Sequence, residues 1–305
     1  MIAMADIIDS PDPNRLRGIL LEHEPMSRHT SWRIGGCADR FYQPADVQDL
    51  ATFLQQLSPA TPVTWIGLGS NLLVRDGGLR GVVISPHKGL VKLEMVDNKT
   101  IYAQVGLPSA KIARFSVNHD LRGAEFMAGI PGTLGGALVM NAGAFGGETW
   151  DIVRSVETID AKGVVRQRPA TDYDAGYRSL KQPEHAWFVG AYLELMSGNA
   201  VEGRNNIKLL LAKRGTTQPI NVANAGSVFR NPPGDFAARL IEAAGLKGCR
   251  EGQAVVSERH ANFIVNTGSA TAVDVERLME KIQQQVKDKF DVLLQPEVHI
   301  IGEST

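Results

Sequence analysis

The sequence predicts an α+β protein made of two or three domains. Its 305 residues are more than one domain with a single core usually contains, since a domain has roughly 150 residues. Hydrophobic residues make up 43% of the chain and charged residues 21%, the usual balance of a globular fold. Amphipathic helical patterns alternate with short apolar segments, and a mostly β pattern runs from about residue 90 to residue 195.

A short helix is expected to open the chain. Asp12 followed by Pro13 is typical of a helix start, and Leu16, Ile19 and Leu20 then fall on one helical face. This helix would dock its apolar face on the first domain.

A unit of helix and short strands comes next. Residues 40–43 have a strand pattern, and a helix beginning at Pro44 would place Val47, Leu50 and Leu54 on one stripe. Short apolar strands are expected at 63–66, 72–74 and 81–84.

The middle of the chain is expected to combine a helix with a hairpin. The helix covers about 109–119, and the hairpin pairs 153–159 with 164–167 around a polar turn. Residues 196–204 are polar and contain glycine, which indicates a linker before a helix at 205–213.

Two further helices and a last strand are predicted near the C-terminus. One helix covers 237–244 and ends at Gly245, and Thr271 caps the other. The apolar face of the second helix consists of Val275, Leu278, Met279, Ile282 and Val286. Residues 293–301 complete the fold as a strand.

Charge and cysteine content exclude several classes of protein. With 32 basic and 33 acidic residues, the net charge of -1 predicts no bulk attraction to nucleic acid or anionic membrane. Cys37 and Cys249 form neither a disulfide framework nor a zinc motif, and the seven histidines lack metal-ligand spacing, so no metal is assigned.

One uncharged stretch of 22 residues, between Glu125 and Glu148, is long enough to cross a bilayer. Its seven glycines and Pro131 would interrupt a membrane helix, so buried, tightly turning backbone is expected instead. The N-terminal residues have no secretory signal pattern. Together these features predict a cytoplasmic protein without membrane insertion.

Two loops of small residues, 67–71 and 129–136, are candidates for binding an anion. Glycines let successive backbone N–H groups approach a pyrophosphate, but neither loop has the P-loop or dinucleotide fingerprint. For either loop alone, a tight turn without ligand is the alternative. Residues 141–146 continue the pattern, with close backbone packing as their alternative. The candidate binding residues are Gly67, Gly69, Ser70, Asn71, Gly129, Ile130, Pro131, Gly132, Thr133, Gly135, Gly136, Asn141, Ala142 and Gly143.

Three polar positions could form a reaction centre. Arg178, after Tyr177, could clamp a carboxylate, although a surface pair would give the same pattern. Ser227 follows Gly226, and Asn231 with the two prolines after it should make this segment rigid, so the hydroxyl could be presented to a ligand. The segment lacks the Gly-x-Ser-x-Gly pattern of a hydrolase nucleophile, and a serine that caps or closes a turn is the alternative. Glu297 follows a proline in an apolar strand, where an outward-facing glutamate is the alternative.

Taken together, these segments resemble one family, the UDP-N-acetylenolpyruvoylglucosamine reductases, which are flavoenzymes of peptidoglycan precursor synthesis. The resemblance covers about residues 29–302, and seven segments in one order make it specific. Those segments are 29–36, 67–74, 128–144, 177–179, 226–232, 260–266 and 296–302.

The resemblance implies a two-part FAD-binding fold of the vanillyl-alcohol-oxidase (PCMH) type with a C-terminal α/β substrate-binding domain. The implied FAD-binding subdomains are 1–86 and 87–200, the second joined by the C-terminal strand 293–305, and the substrate domain is 201–292. FAD would be bound non-covalently and NADPH would donate the hydride. The substrate would be UDP-N-acetylglucosamine enolpyruvate and the product UDP-N-acetylmuramate.

By position, the resemblance implies that Arg178, Ser227 and Glu297 are catalytic, and that Tyr177, Arg178 and Asn231 bind substrate. Only 49 positions separate Arg178 from Ser227, which indicates the shorter form of the family, without an inserted tyrosine loop. Two other functions remain as alternatives: a flavoprotein oxidase of the same fold, and a catalytically silent nucleotide-binding protein.

Overall fold

A computed structural model describes residues 15–304 of the chain. Its helices, numbered in chain order, are α1 (Val47–Gln56), α2 (Ser109–Asn118), α3 (Leu134–Val139), α4 (Ala200–Thr217), α5 (Ala237–Ala243) and α6 (Ala272–Phe290). Its strands are β1 (Ile19–Pro25), β2 (Cys37–Gln43), β3 (Val63–Trp65), β4 (Leu72–Val74), β5 (Leu79–Ile84), β6 (Leu93–Met95), β7 (Thr100–Gln104), β8 (Leu121–Arg122), β9 (Gly143–Ala144), β10 (Gly147–Glu148), β11 (Val153–Ile159), β12 (Val165–Pro169), β13 (Asp174–Gly176), β14 (Ser179–Lys181), β15 (Trp187–Glu194), β16 (Met196–Ser197), β17 (Arg250–Glu251), β18 (Ala254–Val256), β19 (Ile264–Asn266) and β20 (His299–Ile301).

A four-stranded sheet of order β1-β2-β5-β3 forms the first part of the fold. Strands β2, β5 and β3 run parallel, and α1 connects β2 to β3, with β5 between these two strands in the sheet. Helix α1 begins at Val47 rather than at Pro44, because the Asp46 side chain accepts a hydrogen bond from the Asp49 N–H and caps the first turn. Its apolar stripe, including Leu50 and Leu54, is buried as predicted.

The prediction of a helix at the start of the chain is wrong for the residues from 15 onward, which the structure describes. Ile19 and Leu20 lie in β1, which pairs antiparallel with β2 over its whole length. A ladder of backbone hydrogen bonds outweighs the weak signal of three apolar residues at helical spacing. Asp12 and Pro13 lie outside the described residues.

A five-stranded antiparallel sheet of order β12-β11-β15-β7-β6 forms the second part. The predicted hairpin is confirmed as β11 and β12, and the predicted helix as α2. Residues of both sheets share one apolar core, in which Val82 and Ile84 join Ile101 and Val189. The two sheets therefore form a continuous scaffold.

The uncharged stretch between Glu125 and Glu148 is turning backbone, as predicted. It contains a 3₁₀ turn, the six-residue helix α3 and the small hairpin β9–β10. Within residues 15–304, no helix is both long and apolar enough to cross a membrane.

A third part is built from β17-β18-β19 with α5 and α6 packed against it. Both helices are confirmed, and the Thr271 side chain caps α6 by accepting from the Asp274 N–H. Trp32 of the first part enters this core, and its Nε1 donates to the Ile264 carbonyl over 2.8 Å. This buried bond fixes the third part against the first.

The linker predicted at 196–204 is shorter than expected, because α4 already begins at Ala200. The Asn199 side chain accepts hydrogen bonds from the N–H groups of Val201 and Glu202 and so starts the helix early. Gly203 lies inside α4, where an added Cβ would press on Val117 of α2. That glycine permits close helix packing and does not mark a flexible segment.

The last strand covers only residues 299–301, and its position differs from the expectation. Strand β20 pairs parallel with β4, in the first part of the chain, and not with the five-stranded sheet of the second. The Asn71 carbonyl accepts from the His299 N–H over 3.0 Å, which sets this register. The C-terminal segment is thereby placed beside the loop that precedes β4.

Candidate active site

A large cavity lies where the three parts of the fold meet. It has a volume of about 580 Å³, within the range of roughly 300–1,000 Å³ that is usual for ligand and cofactor sites. Both glycine loops line it, and so do Arg178, Ser227 and Glu297. Residues far apart in the sequence, predicted separately, are thus brought to one site.

The first glycine loop is a tight turn between β3 and β4. Gly69 has φ of +59°, and an added Cβ would collide with the carbonyl of His29, so a side chain is excluded there. The Ser31 N–H donates to the Gly69 carbonyl over 3.1 Å. These contacts hold the backbone of the loop at the cavity wall.

The second glycine loop lies directly against the first. Ser70 Oγ donates to the Pro131 carbonyl over 2.9 Å, and Gly132 has φ of +121° with its Cβ position 2.7 Å from Ser70 Oγ. A Cβ added at Gly67 would lie only 2.5 Å from Thr133 Oγ1. The two loops together line one wall with small residues and backbone amides, as a pyrophosphate-containing ligand requires.

Gly136 tests whether this wall fits a large cofactor. It lies on α3 and lines the cavity, and an added Cβ there would meet no protein atom within 4 Å. The helix backbone is therefore open to a ligand that approaches it closely. The glycine-lined wall and the cavity volume fit a flavin dinucleotide.

Arg178 lies at the tip of the hairpin β13–β14, with φ of +53°. Its Nε donates to Glu297 Oε1 over 3.1 Å, and its Nη2 donates to the Gly143 carbonyl over 3.1 Å. Its side chain is only 20% exposed. Nη1 makes no hydrogen bond to residues 15–304 that would occupy it, so this amino group is available to a ligand.

Glu297 is held by its backbone between two loops. Its N–H donates to the Val228 carbonyl over 2.7 Å, and its own carbonyl accepts from Asn71 Nδ2 over 3.1 Å. Burial raises the pKa of the Glu297 carboxyl above its usual value, while the charges of Arg178 and Arg230 oppose that rise. The carboxyl therefore retains a proton to higher pH than an exposed glutamate would.

Ser227 lies in a segment that hydrogen bonds fix from both sides. Gly226 has φ of +75°, and its N–H donates to Asn224 Oδ1 over 3.0 Å. The Val228 N–H donates to the backbone carbonyl of Asn262 over 2.9 Å. Val228 therefore connects the serine segment both to Asn262 and, through its carbonyl, to Glu297.

Asn262 is a positioning residue that the sequence analysis did not assign. Its buried side chain accepts from the Phe229 N–H over 3.0 Å and donates to the Phe229 carbonyl over 2.8 Å. The sequence signal was present, because Asn262 lies in one of the segments that carry the resemblance. A buried amide pairing with backbone cannot be distinguished in a sequence from a polar strand flank.

Three predicted site residues do not line the cavity. Asn141 is buried, and its Nδ2 donates to the carboxylate of Glu148 and to the Gly176 carbonyl, next to the turn that carries Arg178. Tyr177 is 52% exposed, and its ring packs under the Arg178 guanidinium. Asn231 Oδ1 accepts from the N–H of the first residue of α5. Their roles as ligand contacts stay predictions.

Arg214 was not predicted and does line the cavity, from the last turn of α4. Its Nε donates to Gln218 Oε1 over 3.0 Å, and its guanidinium forms no salt bridge within residues 15–304. Burial lowers the pKa of Arg214. No sequence signal marks it, since an arginine at a helix end is usually exposed.

Two sheets that share a core, paired glycine loops and a separate C-terminal part define a protein of the two-part FAD-binding class. Residues 38–167 match the family model described as FAD binding domain. Residues 218–301 match the model described as UDP-N-acetylenolpyruvoylglucosamine reductase, C-terminal domain.

Whole-chain comparisons agree. The chain is 56% identical to the UDP-N-acetylenolpyruvoylglucosamine reductase of Methylococcus capsulatus, over 94% of this chain and 95% of that protein. It is 55% identical to that of Alkalilimnicola ehrlichii, over 94% and 96%. The crystal structure of UDP-N-acetylenolpyruvylglucosamine reductase from Thermus caldophilus covers 94% of this chain with a TM-score of 0.79 at 29% identity, and 99% of that chain is covered. The chain belongs to the UDP-N-acetylenolpyruvoylglucosamine reductase family, and the predicted fold class is confirmed.

Proposed function

We propose that this protein reduces the enolpyruvyl group of UDP-N-acetylglucosamine enolpyruvate to give UDP-N-acetylmuramate, with NADPH as the hydride donor, and that Arg178, Ser227 and Glu297 carry out the reduction. The observation that carries the proposal is their convergence: all three line the one cavity that the two glycine loops also line. Membership of the family supplies the activity, and the geometry supports the assignment of residues.

FAD, when bound, would supply the hydride-transfer chemistry between NADPH and the terminal carbon of the enolpyruvyl double bond. The residues of both glycine loops, together with Ala142 and Gly143, are proposed to hold that cofactor. Their part is to bind and orient, since backbone amides and glycine surfaces offer close contact without acid–base chemistry.

Arg178 is proposed to stabilise the negative charge that hydride addition creates. That charge spreads over the neighbouring carbon and the substrate carboxylate, and a guanidinium can bind a carboxylate through fixed N–H groups. Because Nε is engaged by Glu297 and Nη2 by Gly143, the arginine is already oriented before substrate arrives. Pre-orientation of this kind lowers the barrier because no reorganisation is needed during the reaction.

Ser227 is proposed to donate the proton that completes the reduction. The O–H bond of the serine breaks, its proton forms the new C–H bond at the carbon next to the carboxylate, and the serine oxygen regains a proton from water. A hydroxyl is a weak acid, but the carbanion-like intermediate is a strong base, and fixed placement favours the transfer. The hydrogen bonds around Gly226 and Val228 support that placement.

Glu297 is proposed to orient Arg178 and to hold a proton near the site. Its burial and its contact with Arg178 act on its pKa in opposite directions, and burial is the larger effect. A carboxyl that retains its proton to higher pH does not repel the substrate carboxylate. Tyr177 and Asn231 are proposed to contact substrate by their places in the family motifs.

The parts 1–86, 87–200 and 201–292 are proposed as the two FAD-binding subdomains and the substrate-binding domain. We further propose that the enzyme acts in the cytoplasm, where NADPH and nucleotide sugars are available. The pairing of β20 with β4 supports including the C-terminal strand in the first of these proposed parts.

An anaerobic visible spectrum of the purified protein tests the function. NADPH should bleach the flavin absorbance, and UDP-N-acetylglucosamine enolpyruvate should restore it. Recovery with dioxygen but not with the enolpyruvyl sugar would support a flavoprotein oxidase instead. A protein that takes up no FAD would contradict both enzymatic functions and favour the silent nucleotide-binding protein.

A further inference from the structure

Asn141 has a buried side chain whose hydrogen bonds have no part in the proposed function. Only 2% of the residue is exposed, and it does not line the cavity, although Met140 and Ala142 on either side do. Its backbone has φ of +40°, in the left-handed region that residues other than glycine adopt only rarely. The Asn141 amide therefore lies within the protein, behind the cavity wall.

The Asn141 amide links its own segment to β10, to the turn after β10 and to the hairpin β13–β14. Its Nδ2 donates to Glu148 Oε2 over 2.8 Å and to the Gly176 carbonyl over 3.1 Å. Its Oδ1 accepts from the Trp150 N–H over 3.1 Å. An amide has two N–H donors and an acceptor oxygen, so all three contacts can form at once. Neither a carboxylate nor a hydroxyl could replace it.

The contact with Gly176 is made at the base of the turn that carries Arg178. Gly176 pairs with Ser179, and Tyr177 and Arg178 form the two-residue turn between them. The hairpin β13–β14 is a sheet of only two strands, and such a pair is at best marginally stable by itself. Contacts with the rest of the protein must therefore hold the turn in place, and Asn141 makes one of them.

Both ends of Arg178 are tied to the same short stretch of chain. Its backbone is held through Gly176 by the Asn141 side chain, and its Nη2 donates to the carbonyl of Gly143, two residues after Asn141. The contacts close a ring from Asn141 through the turn to the guanidinium and back to Gly143. A guanidinium fixed at both ends keeps its remaining N–H groups directed at the cavity that Arg178 lines.

We propose that Asn141 is a positioning residue, which holds Arg178 in the orientation that binds the substrate carboxylate. The inference rests on the role proposed for Arg178, and it assigns to Asn141 a task other than contact with the cofactor. Without the Asn141 amide, the Gly176 carbonyl loses this donor and the turn is free to shift. A displacement of about 1 Å at a reacting group can slow a reaction by a factor on the order of 100.

Asn141→Gly tests the assignment. Glycine adopts a positive φ readily, so the variant removes the amide and still permits the backbone turn. We expect flavin reoxidation by UDP-N-acetylglucosamine enolpyruvate to slow about tenfold or more, with NADPH reduction and the Kd for FAD within about twofold of wild type. Stopped-flow absorbance measures the two rates, and titration followed by flavin fluorescence measures the Kd.

A double variant with Arg178→Ala distinguishes positioning from general damage to the site. If Asn141 acts through Arg178, no guanidinium is left to orient in the Arg178→Ala background. Adding Asn141→Gly there should slow reoxidation by less than about twofold further. Independent damage to the site would instead multiply the two defects.

Asp120→Gly is the matched control. Asp120 also has a positive φ, of +54°, and its side chain accepts from the Ala200 N–H over 2.9 Å, so this variant likewise loses a side-chain contact and gains backbone freedom. Asp120 does not line the cavity, and both rates should stay as in wild type.

Asn141→Asp is a second test variant if Asn141→Gly does not fold. It keeps an oxygen for the Trp150 N–H, but its carboxylate has no donor for the Gly176 carbonyl. The same slowing of reoxidation is expected.

Three results would overturn the assignment. Reoxidation at the wild-type rate in a folded test variant would show that Arg178 is oriented without Asn141. The same slowing with and without Arg178 would mean that Asn141 acts on another group. A raised Kd for FAD with equal slowing of both rates would mean that Asn141 serves the cofactor. Each leaves the proposed function intact, whereas a wild-type flavin that the enolpyruvyl sugar does not reoxidise would contradict that function first.

Discussion

Nε of Arg178 lies 3.1 Å from Oε1 of Glu297, although 119 positions separate the two residues in the chain. One partner lies at the tip of the β13–β14 hairpin and the other just before β20. The pairing of β20 with β4 places Glu297 next to the first glycine loop. The pairing of the last strand with β4 therefore brings Glu297 within reach of Arg178.

Arg178→Lys should slow reduction of the substrate without slowing reduction of the flavin. A lysine carries its three donors on one nitrogen, so it cannot reproduce the separate Nε and Nη2 contacts of Arg178 and also present a fixed planar donor pair to a carboxylate. We expect flavin reoxidation by the enolpyruvyl sugar to slow by about 100-fold or more, with NADPH reduction within about twofold of wild type. Stopped-flow absorbance measures both steps.

Arg168→Lys is the control for this change. Arg168 also pairs with a carboxylate, that of Glu184, but it does not line the cavity. Both half-reactions should keep their wild-type rates in this variant. Equal slowing of the two half-reactions in Arg178→Lys would contradict the role assigned to Arg178.

Glu297→Gln should change how stability depends on pH. Burial raises the folded-state pKa of Glu297 above its unfolded value of about 4.3, so its contribution is fully present below that value. That contribution is lost as the pH rises through the folded pKa. We therefore expect the wild type to lose free energy of unfolding relative to Glu297→Gln as the pH is raised from about 4 to 7.

Urea unfolding of both proteins at several pH values measures this difference. Glutamine keeps an oxygen that can accept from Arg178 Nε and carries no charge at any pH, so its contribution to the free energy of unfolding is constant in this range and the slope carries the test. If the difference in free energy of unfolding between the two proteins stays constant, or if the wild type becomes relatively more stable as the pH rises, a raised pKa of Glu297 is contradicted.

Asn262→Ala should reduce both stability and activity. It leaves the N–H and the carbonyl of Phe229 buried without partners, at a cost of about 2 kcal/mol or more. Because that segment carries Ser227, flavin reoxidation by substrate should slow as well. Urea unfolding and stopped-flow absorbance measure the two effects.

Asn266→Ala separates positioning from simple destabilisation. Asn266 is also buried, and its side chain donates to the Trp32 carbonyl and accepts from two backbone N–H groups away from Ser227. It should lose similar stability while both half-reactions keep their rates. Equal kinetic defects in the two variants would argue against a specific role for Asn262.

Gly136→Ala should weaken FAD binding without weakening the flavin-free fold. A Cβ at this position meets no protein atom within 4 Å, and alanine favours a helix over glycine by about 0.5–1 kcal/mol. The thermal midpoint of the flavin-free protein should therefore stay or rise, while the Kd for FAD rises.

Gly215→Ala is the comparison for Gly136→Ala. Gly215 lies in α4 and does not itself line the cavity, and a Cβ there would make an ordinary 3.7 Å contact with Ile220. This variant should keep wild-type affinity for FAD. Unchanged affinity in Gly136→Ala as well would mean that the cofactor does not approach α3.

Local signals predicted much of the fold correctly, and tertiary contacts explain the errors. The Thr271 cap and the apolar stripe of α6 are short-range features, so they identified that helix from sequence. Ile19 was expected in a helix because its partner strand β2 cannot be seen in the local sequence. Gly203 was expected in a linker because its packing against Val117 of α2 cannot be seen there either.

The site could be predicted only in part for the same reason. Arg178, Ser227 and Glu297 each fit an ordinary structural role, and the resemblance, not local physics, singled them out. Arg214 was missed because its exposure to the cavity depends on how three parts of the chain pack together. Spacing along one segment carries no information about such packing.

Ser227→Ala, measured in separate half-reactions by anaerobic stopped-flow absorbance, tests the central claim most directly. The account predicts that NADPH reduces the flavin of the variant at the wild-type rate. It also predicts that reoxidation by UDP-N-acetylglucosamine enolpyruvate slows by about 100-fold or more, because the proton donor is missing. Reoxidation at the wild-type rate would contradict the assignment of Ser227 as that donor.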